Sequence, residues 1–261
     1  MNIHSPSNHQ GSITCKRRQS IRSGVKVLRH PARTSRRQPL NQSRVAKADG
    51  ISELIFSLIP INEARLLRKQ ALVNARQQDY ESALEIFSAL IDCDPNNALD
   101  YNNRGLVYFQ SGQMVAAIQD YNTALYLNPN LDHAYNNRGN YYAAHGLYKE
   151  AIADYDRAID LNPCNLRARI NQGITFRDLG QYDEALESFD LAHYLGSTEV
   201  SIFIERGRTY HLRGDWNCAI ADYRRALAQL QSSQHSQLDT SCRRLQVEAW
   251  LAQLLQPLSI D

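Results

Sequence analysis

Primary amides recur at a fixed interval in this 261-residue chain. Asn102 and Asn103 lie in a Tyr-Asn-Asn-Arg-Gly stretch that returns 34 residues later with Asn136 and Asn137, and Asn171 continues the series of Asn103 and Asn137. Each primary amide carries two N–H donors and a carbonyl acceptor. A row of them can therefore pair with both the N–H and the C=O of an extended peptide backbone. Bond-making and bond-breaking chemistry finds no comparable set. The chain has no HExxH, no GxSxG, no Walker-type phosphate loop and no GxGxxG, and its eight histidines are scattered. Its five cysteines (Cys15, Cys93, Cys164, Cys218, Cys242) are far apart, odd in number and without a CxxC pair. That spacing suits a reducing compartment better than a disulfide framework and lacks the paired ligands of a structural zinc site. The expectation is a non-enzymatic protein with no cofactor and no metal.

Positioning amides at equal intervals requires a repeating element. An Ala falls at 83, 117, 151, 185 and 219, and an aromatic four residues later at Phe87, Tyr121, Tyr155, Phe189 and Tyr223. Gly105, Gly139, Gly173 and Gly207 keep the same register, each followed three residues on by Tyr108, Tyr142, Phe176 or Tyr210. Five contiguous units result: 64–97, 98–131, 132–165, 166–199 and 200–233. Within a unit the apolar spacing is helical twice over. Gly112, Gly146, Gly180 and Gly214 stand where a left-handed residue would end the first helix. Pro95, Pro129 and Pro163 stand where the second must stop.

With its small residues, aromatics and prolines in this order, the chain resembles the tetratricopeptide repeat family over 170 of its 261 residues. The departures are local: Asn74 for an aromatic, Leu90 for a small residue, and Ser197 and Gln231 for the closing proline. The resemblance implies an all-α right-handed superhelical solenoid of five helix–turn–helix repeats. An exposed last repeat needs a polar-backed cover. Residues 240–256 offer one in the stripe Val247, Trp250, Leu251, Leu254 and Leu255, with 234–261 read as linker and C-terminal capping helix. Residues 51–63 read as a short N-terminal cap helix.

The resemblance also implies which repeat positions face the concave groove. On that basis the peptide-binding residues are Asn102, Asn103, Asn136, Asn137, Asn140, Asn171 and Arg167, and the partner is an extended protein segment. Amides that merely solvate a helix face are the competing reading. The family's carboxylate clamp is disfavoured, because only Asn137 and Arg167 fall at its positions when the second unit begins the set. Arg65, Arg68, Lys69 and Arg76 form a basic cluster expected on the inner face of the first unit. Arg104 and Arg138 replace an apolar residue, and snorkelling along the helix edge is their only expected role.

Charge is asymmetric. Residues 1–48 carry eleven Lys or Arg and no Asp or Glu, whereas the rest carries a net charge of −9. Such a basic, weakly apolar arm, taken as residues 1–50, is expected to be disordered. Three roles fit it: an organelle transit peptide, a polyanion-binding arm for nucleic acid or anionic lipid, or an inert leader. The alternative function for the whole chain is therefore nucleic-acid or anionic-membrane association led by this arm. The longest apolar stretch, residues 51–60, contains Glu53 and is too short to span a bilayer. A cytoplasmic location follows, or an organelle interior if the arm is a transit peptide; no secretory signal is expected.

Overall fold

The computed structural model describes residues 60–196, 200–232 and 237–256. The basic arm, with each role expected of it, lies outside the described residues, as does most of the expected N-terminal cap. The described residues form eleven helices and no strand. In order these are α1 (Ile61–Arg76), α2 (Tyr80–Cys93), α3 (Ala98–Gln110), α4 (Met114–Leu127), α5 (Asp132–Ala144), α6 (Tyr148–Leu161), α7 (Leu166–Asp178), α8 (Tyr182–Tyr194), α9 (Val200–Arg213), α10 (Trp216–Ser232) and α11 (Gln237–Leu255). Helices pair as hairpins α1–α2, α3–α4, α5–α6, α7–α8 and α9–α10, and each hairpin packs on the next, giving an all-α solenoid.

Local chemistry sets these boundaries. Gly112 adopts φ +80° after α3, and Gln113 N–H then donates to Tyr108 C=O at 2.8 Å, closing the helix with a left-handed turn. Gly146, Gly180 and Gly214 repeat this geometry, and Gln78 adopts φ +65° in the first unit without the freedom of a glycine. Asn128 and Asn162, each followed by proline, are extended and end α4 and α6. No proline stands at 231, and α10 runs 17 residues where α4 and α6 run 14; α8, whose unit has Ser197 at the proline position, runs 13 and is followed by Gly196 at φ +86°. Asp79, Asn97 and Asn165 cap α2, α3 and α7 by accepting from the backbone N–H groups of Ser82, Leu99 and Ala168.

Packing inside a hairpin depends on a ring lying on a glycine. A Cβ added at Gly139 would meet Tyr155 Cε1 at 2.6 Å, so any side chain there would displace the ring. The equivalent rings Phe87, Tyr121, Tyr155, Phe189 and Tyr223 are all fully buried. Each contributes about 2–3 kcal/mol of burial.

Adjacent hairpins are joined by arginine, and this changes the account of Arg104 and Arg138. Arg104 donates from Nε and Nη2 to both oxygens of Asp120, at 2.7 and 2.9 Å, and from Nη1 to Ser88 of the preceding hairpin at 3.2 Å. Arg138 repeats the pattern with Asp154 and Asn122, and Arg206 with Asp222 and Asp190. Where the fourth unit has Gln172 and Ser188 instead of Arg and Asp, Gln172 still reaches back to Asp156 at 2.6 Å. The guanidinium groups of Arg104 and Arg138 lie within 5.6–5.8 Å of two tyrosine ring centroids each. These arginines do not snorkel. They staple a hairpin internally and to its predecessor.

At the C-terminal end Val247 is fully buried against α9 and α10, with Trp250, Leu251 and Leu254 beside it, and Trp250 stacks on Tyr223 at 5.8 Å. Leu255 remains half exposed. The helix begins at Gln237, earlier than the sequence pattern alone suggests. At the other end α1 starts at Ile61, so residues 61–63 belong to the first repeat helix and not to a separate cap. Ile61 and Leu66 are largely exposed there.

Candidate functional site

The first helices of the five hairpins, α1, α3, α5, α7 and α9, touch one another in succession and form one continuous face. Two concavities lie on it. One, of about 370 Å3, is walled by α1, α3 and α5 and contains Leu99, Asn103, Leu106, Gln110 and Asn137. The other, of about 630 Å3, lies between α7, α9 and α11. Arg167 is exposed and lines both.

The expected amides divide into two kinds. Asn103, Asn137 and Asn171 are partly exposed, whereas Asn102 and Asn136 are only 3% and 5% exposed. The five form an unbroken relay. Asn171 Nδ2 donates to Asn136 Oδ1 at 2.9 Å, and Asn136 Nδ2 donates to Asn137 Oδ1 at 3.2 Å. Asn137 Nδ2 donates to Asn102 Oδ1 at 2.9 Å, and Asn102 Nδ2 donates to Asn103 Oδ1 at 3.3 Å. Asn102 and Asn136 thus sit beneath the surface, joining α3 to α5 and α5 to α7. Within the relay each of the exposed amides uses one N–H, one lone pair or both, so at least one N–H and one lone pair remain on each. Asn140 is placed differently: its Oδ1 accepts from the Tyr155 hydroxyl at 2.8 Å, which binds it to the hairpin interior.

The expected basic cluster on the first unit is not one patch. Arg68 grips both oxygens of the fully buried Asp100 at 2.6 Å and so joins α1 to α3. Arg76 lines the amide concavity, while Lys69 faces a different hollow beside Leu66 and Leu67. The physical reason is the buried carboxylate, which draws the nearest guanidinium away from solvent. Polar junctions thus run the length of the groove floor: Arg68–Asp100, Asn102–Asn137, Asn136–Asn171 and Arg177–Glu205.

The second concavity contains residues that the amide pattern did not single out. Ile170, Ile174 and Ile204 line it together with Arg208 and Trp250. In the last two units Ile170 and Ile204 stand at the repeat position of Asn102 and Asn136, and Ile174 and Arg208 at that of Asn140, so the rule that selected the amides would also have selected these residues. Among the described residues no group of three or more His, Cys, Asp or Glu is placed to hold a metal ion, and no helix is long and apolar enough to cross a membrane.

Comparison with known proteins agrees with this architecture. Two tetratricopeptide repeat models match, over residues 69–139 and 133–163. Curated protein sequences yield no match. Among solved structures, a thermophilic tetratricopeptide repeat protein of Thermus thermophilus superposes with a TM-score of 0.62 at 19% identity, covering 71% of this chain and 99% of that one. PilW, described as a widely conserved type IV pilus biogenesis factor, gives 0.63 at 21% identity, covering 73% and 88%. MamA gives 0.54 at 20% identity, covering 67% and 97%. At these identities the likeness is one of fold. Two family models match consecutive hairpins, so residues 69–163 carry tetratricopeptide repeats, and the same hairpin geometry continues to the end of α10.

Proposed function

We propose that the protein is a non-enzymatic interaction scaffold that holds an extended segment of a protein partner along its concave face. Asn103, Asn137 and Asn171 read the partner's backbone, and Asn102 and Asn136 hold them in register from below. The observation that supports this reading is the amide relay itself. Three partly exposed amides on successive helices are fixed by two buried ones, each retaining donor and acceptor capacity toward the groove. Preorganisation of this kind lowers the ordering cost of binding. Leu99 and Leu106 beside the amides add apolar contact for the segment's side chains. Arg167 stands at the junction of the two concavities, and Asn140 is assigned to supporting Tyr155 rather than to contact.

The test uses the full-length chain to select peptides from a displayed random library, followed by calorimetric titration of the enriched peptides. Replacing Asn103, Asn137 and Asn171 together by alanine is expected to weaken binding by about tenfold to a thousandfold while the helical circular dichroism is kept. Unchanged affinity in a folded triple variant would refute the reading.

A further inference from the structure

The larger concavity is not made of amides, and its charge runs against that of the body around it. Outside the arm the chain carries a net charge of −9. Yet this hollow is lined by four arginines, Arg167, Arg177, Arg208 and Arg243, against a single carboxylate, Glu205. Glu205 is already engaged, since Arg177 Nη1 donates to it at 2.5 Å and Arg177 also contacts Asp178. The charge of Arg177 is thus balanced locally. Arg167 is exposed and meets no carboxylate among the described residues. Arg208 is held with its guanidinium carbon 4.8 Å from the Trp250 ring centroid, which orients the group without neutralising it.

Beside these cations the wall is aliphatic. Ile170 and Ile204 are 6% exposed and Ile174 is partly buried, so a small apolar surface faces the hollow between α7 and α9. A site that is cationic on its rim and branched-aliphatic on its wall complements a carboxylate next to an apolar side chain. A planar guanidinium recognises a carboxylate through two parallel N–H donors.

We propose that this end of the groove is a specificity subsite for an acidic side chain adjacent to an aliphatic residue in the bound segment, with Arg167 and Arg208 as the carboxylate-binding residues. The inference rests on the groove reading above and names the ligand class that this groove prefers. The amides of α3, α5 and α7 accept any backbone, and the arginine–isoleucine hollow then chooses among sequences. Trp250 gives the C-terminal helix a second part in the site, because it both covers the last hairpin and holds Arg208 in place.

The experiment uses the peptides enriched from a displayed random library on the full-length wild-type protein, compared with those enriched on Arg167→Glu. Arg167 is exposed and outside every core cluster, so this variant is expected to fold as the wild type does. Enriched wild-type peptides should carry Asp or Glu next to Leu, Ile or Val. Their affinity should fall about tenfold to a hundredfold when that acidic residue becomes its amide, and by a similar factor in Arg167→Glu. Raising the salt concentration should weaken the acidic peptide more than its amide counterpart. Peptides enriched without acidic preference, yet lost in the triple asparagine variant, would overturn the subsite and leave the groove reading standing. No enriched peptide at all would overturn both. Dependence on a free C-terminal carboxylate instead of a side chain, or tighter binding of an oligonucleotide or of phosphatidylserine vesicles than of any acidic peptide, would also overturn the proposal.

Discussion

Asn137 Nδ2 donates to Asn102 Oδ1 at 2.9 Å across 35 residues of chain, so an amide at the groove surface is anchored on an amide beneath it. The two belong to adjacent rows of the 34-residue repeat, Asn102 with Asn136 and Asn137 with Asn103 and Asn171, and have separable jobs. Replacing Asn102 by alanine leaves the partly buried Asn137 N–H without its acceptor. The expected cost is about 1–3 kcal/mol of stability, with Asn136→Ala behaving alike. Asn103→Ala removes the terminal acceptor of the relay at a partly exposed position where water can reach Asn102 Nδ2, and is expected to cost less than Asn102→Ala, at most about 1 kcal/mol. Urea denaturation followed by circular dichroism separates the two classes. Equal destabilisation by all three would show that the relay is purely structural.

The arginine staples give a second prediction. Asp222 is 2% exposed, and Arg206 grips both its oxygens. Arg206→Gln alone strands a buried carboxylate beside only the more exposed Arg225 and is expected to cost about 3 kcal/mol. The fourth unit shows the compatible alternative, with Gln172 and Ser188 at these two positions, Gln172 bonding Asp156 and the Ser188 hydroxyl donating to Glu184 C=O. Combining Arg206→Gln with Asp222→Ser is therefore expected to recover at least about 1 kcal/mol relative to the sum of the single changes. Strict additivity in the double-mutant cycle would contradict the staple.

The hydroxyl groups of the ring row differ in a way that can be measured. Tyr121 Oη is buried without a hydrogen-bond partner, whereas the Tyr155 hydroxyl donates to Asn140. The first and fourth units place Phe87 and Phe189 at this same point. Tyr121→Phe is expected to be neutral or stabilising by up to about 1 kcal/mol, and Tyr155→Phe destabilising by about 1 kcal/mol. Thermal melts of the two variants against wild type check the difference in sign.

How much of this could be read in the sequence depends on distance along the chain. The helix pairs, the turn glycines and the ring-on-glycine packing all follow from spacings within one 34-residue unit, where helical geometry converts number into direction. The staples were also written there, since Arg and Asp occur together 16 residues apart in the second, third and fifth units and are both absent from the first and fourth. Arg104 looked isolated only because its partners, Asp120 and Ser88, lie 16 residues to either side. The burial of Asn102 and Asn136 was not legible. It depends on how far each hairpin is rotated and shifted against the next, and periodicity fixes the interval without fixing that offset. The same offset takes Arg68 out of the basic cluster and onto Asp100.

Alkaline pH should find the ring row as well. Burial pushes the Tyr121 and Tyr155 hydroxyls well above the usual phenol range, and it pushes Tyr223 from 10.0 up to about 12. Between those two values the unfolded chain has lost the Tyr223 proton and the folded chain still holds it, so the folded state binds more protons than the unfolded state. Stability is therefore fully present below pH 10 and falls as the pH rises from 10 toward 12. Tyr121→Phe combined with Tyr155→Phe removes two of the three titrating groups and is expected to flatten that fall. Phenolate absorbance should show these buried rings ionising together with unfolding and not before it. Early ionisation of all the tyrosines in a chain that keeps its helical signal would contradict a water-excluded ring row, and with it the packing that holds the amide-bearing helices side by side.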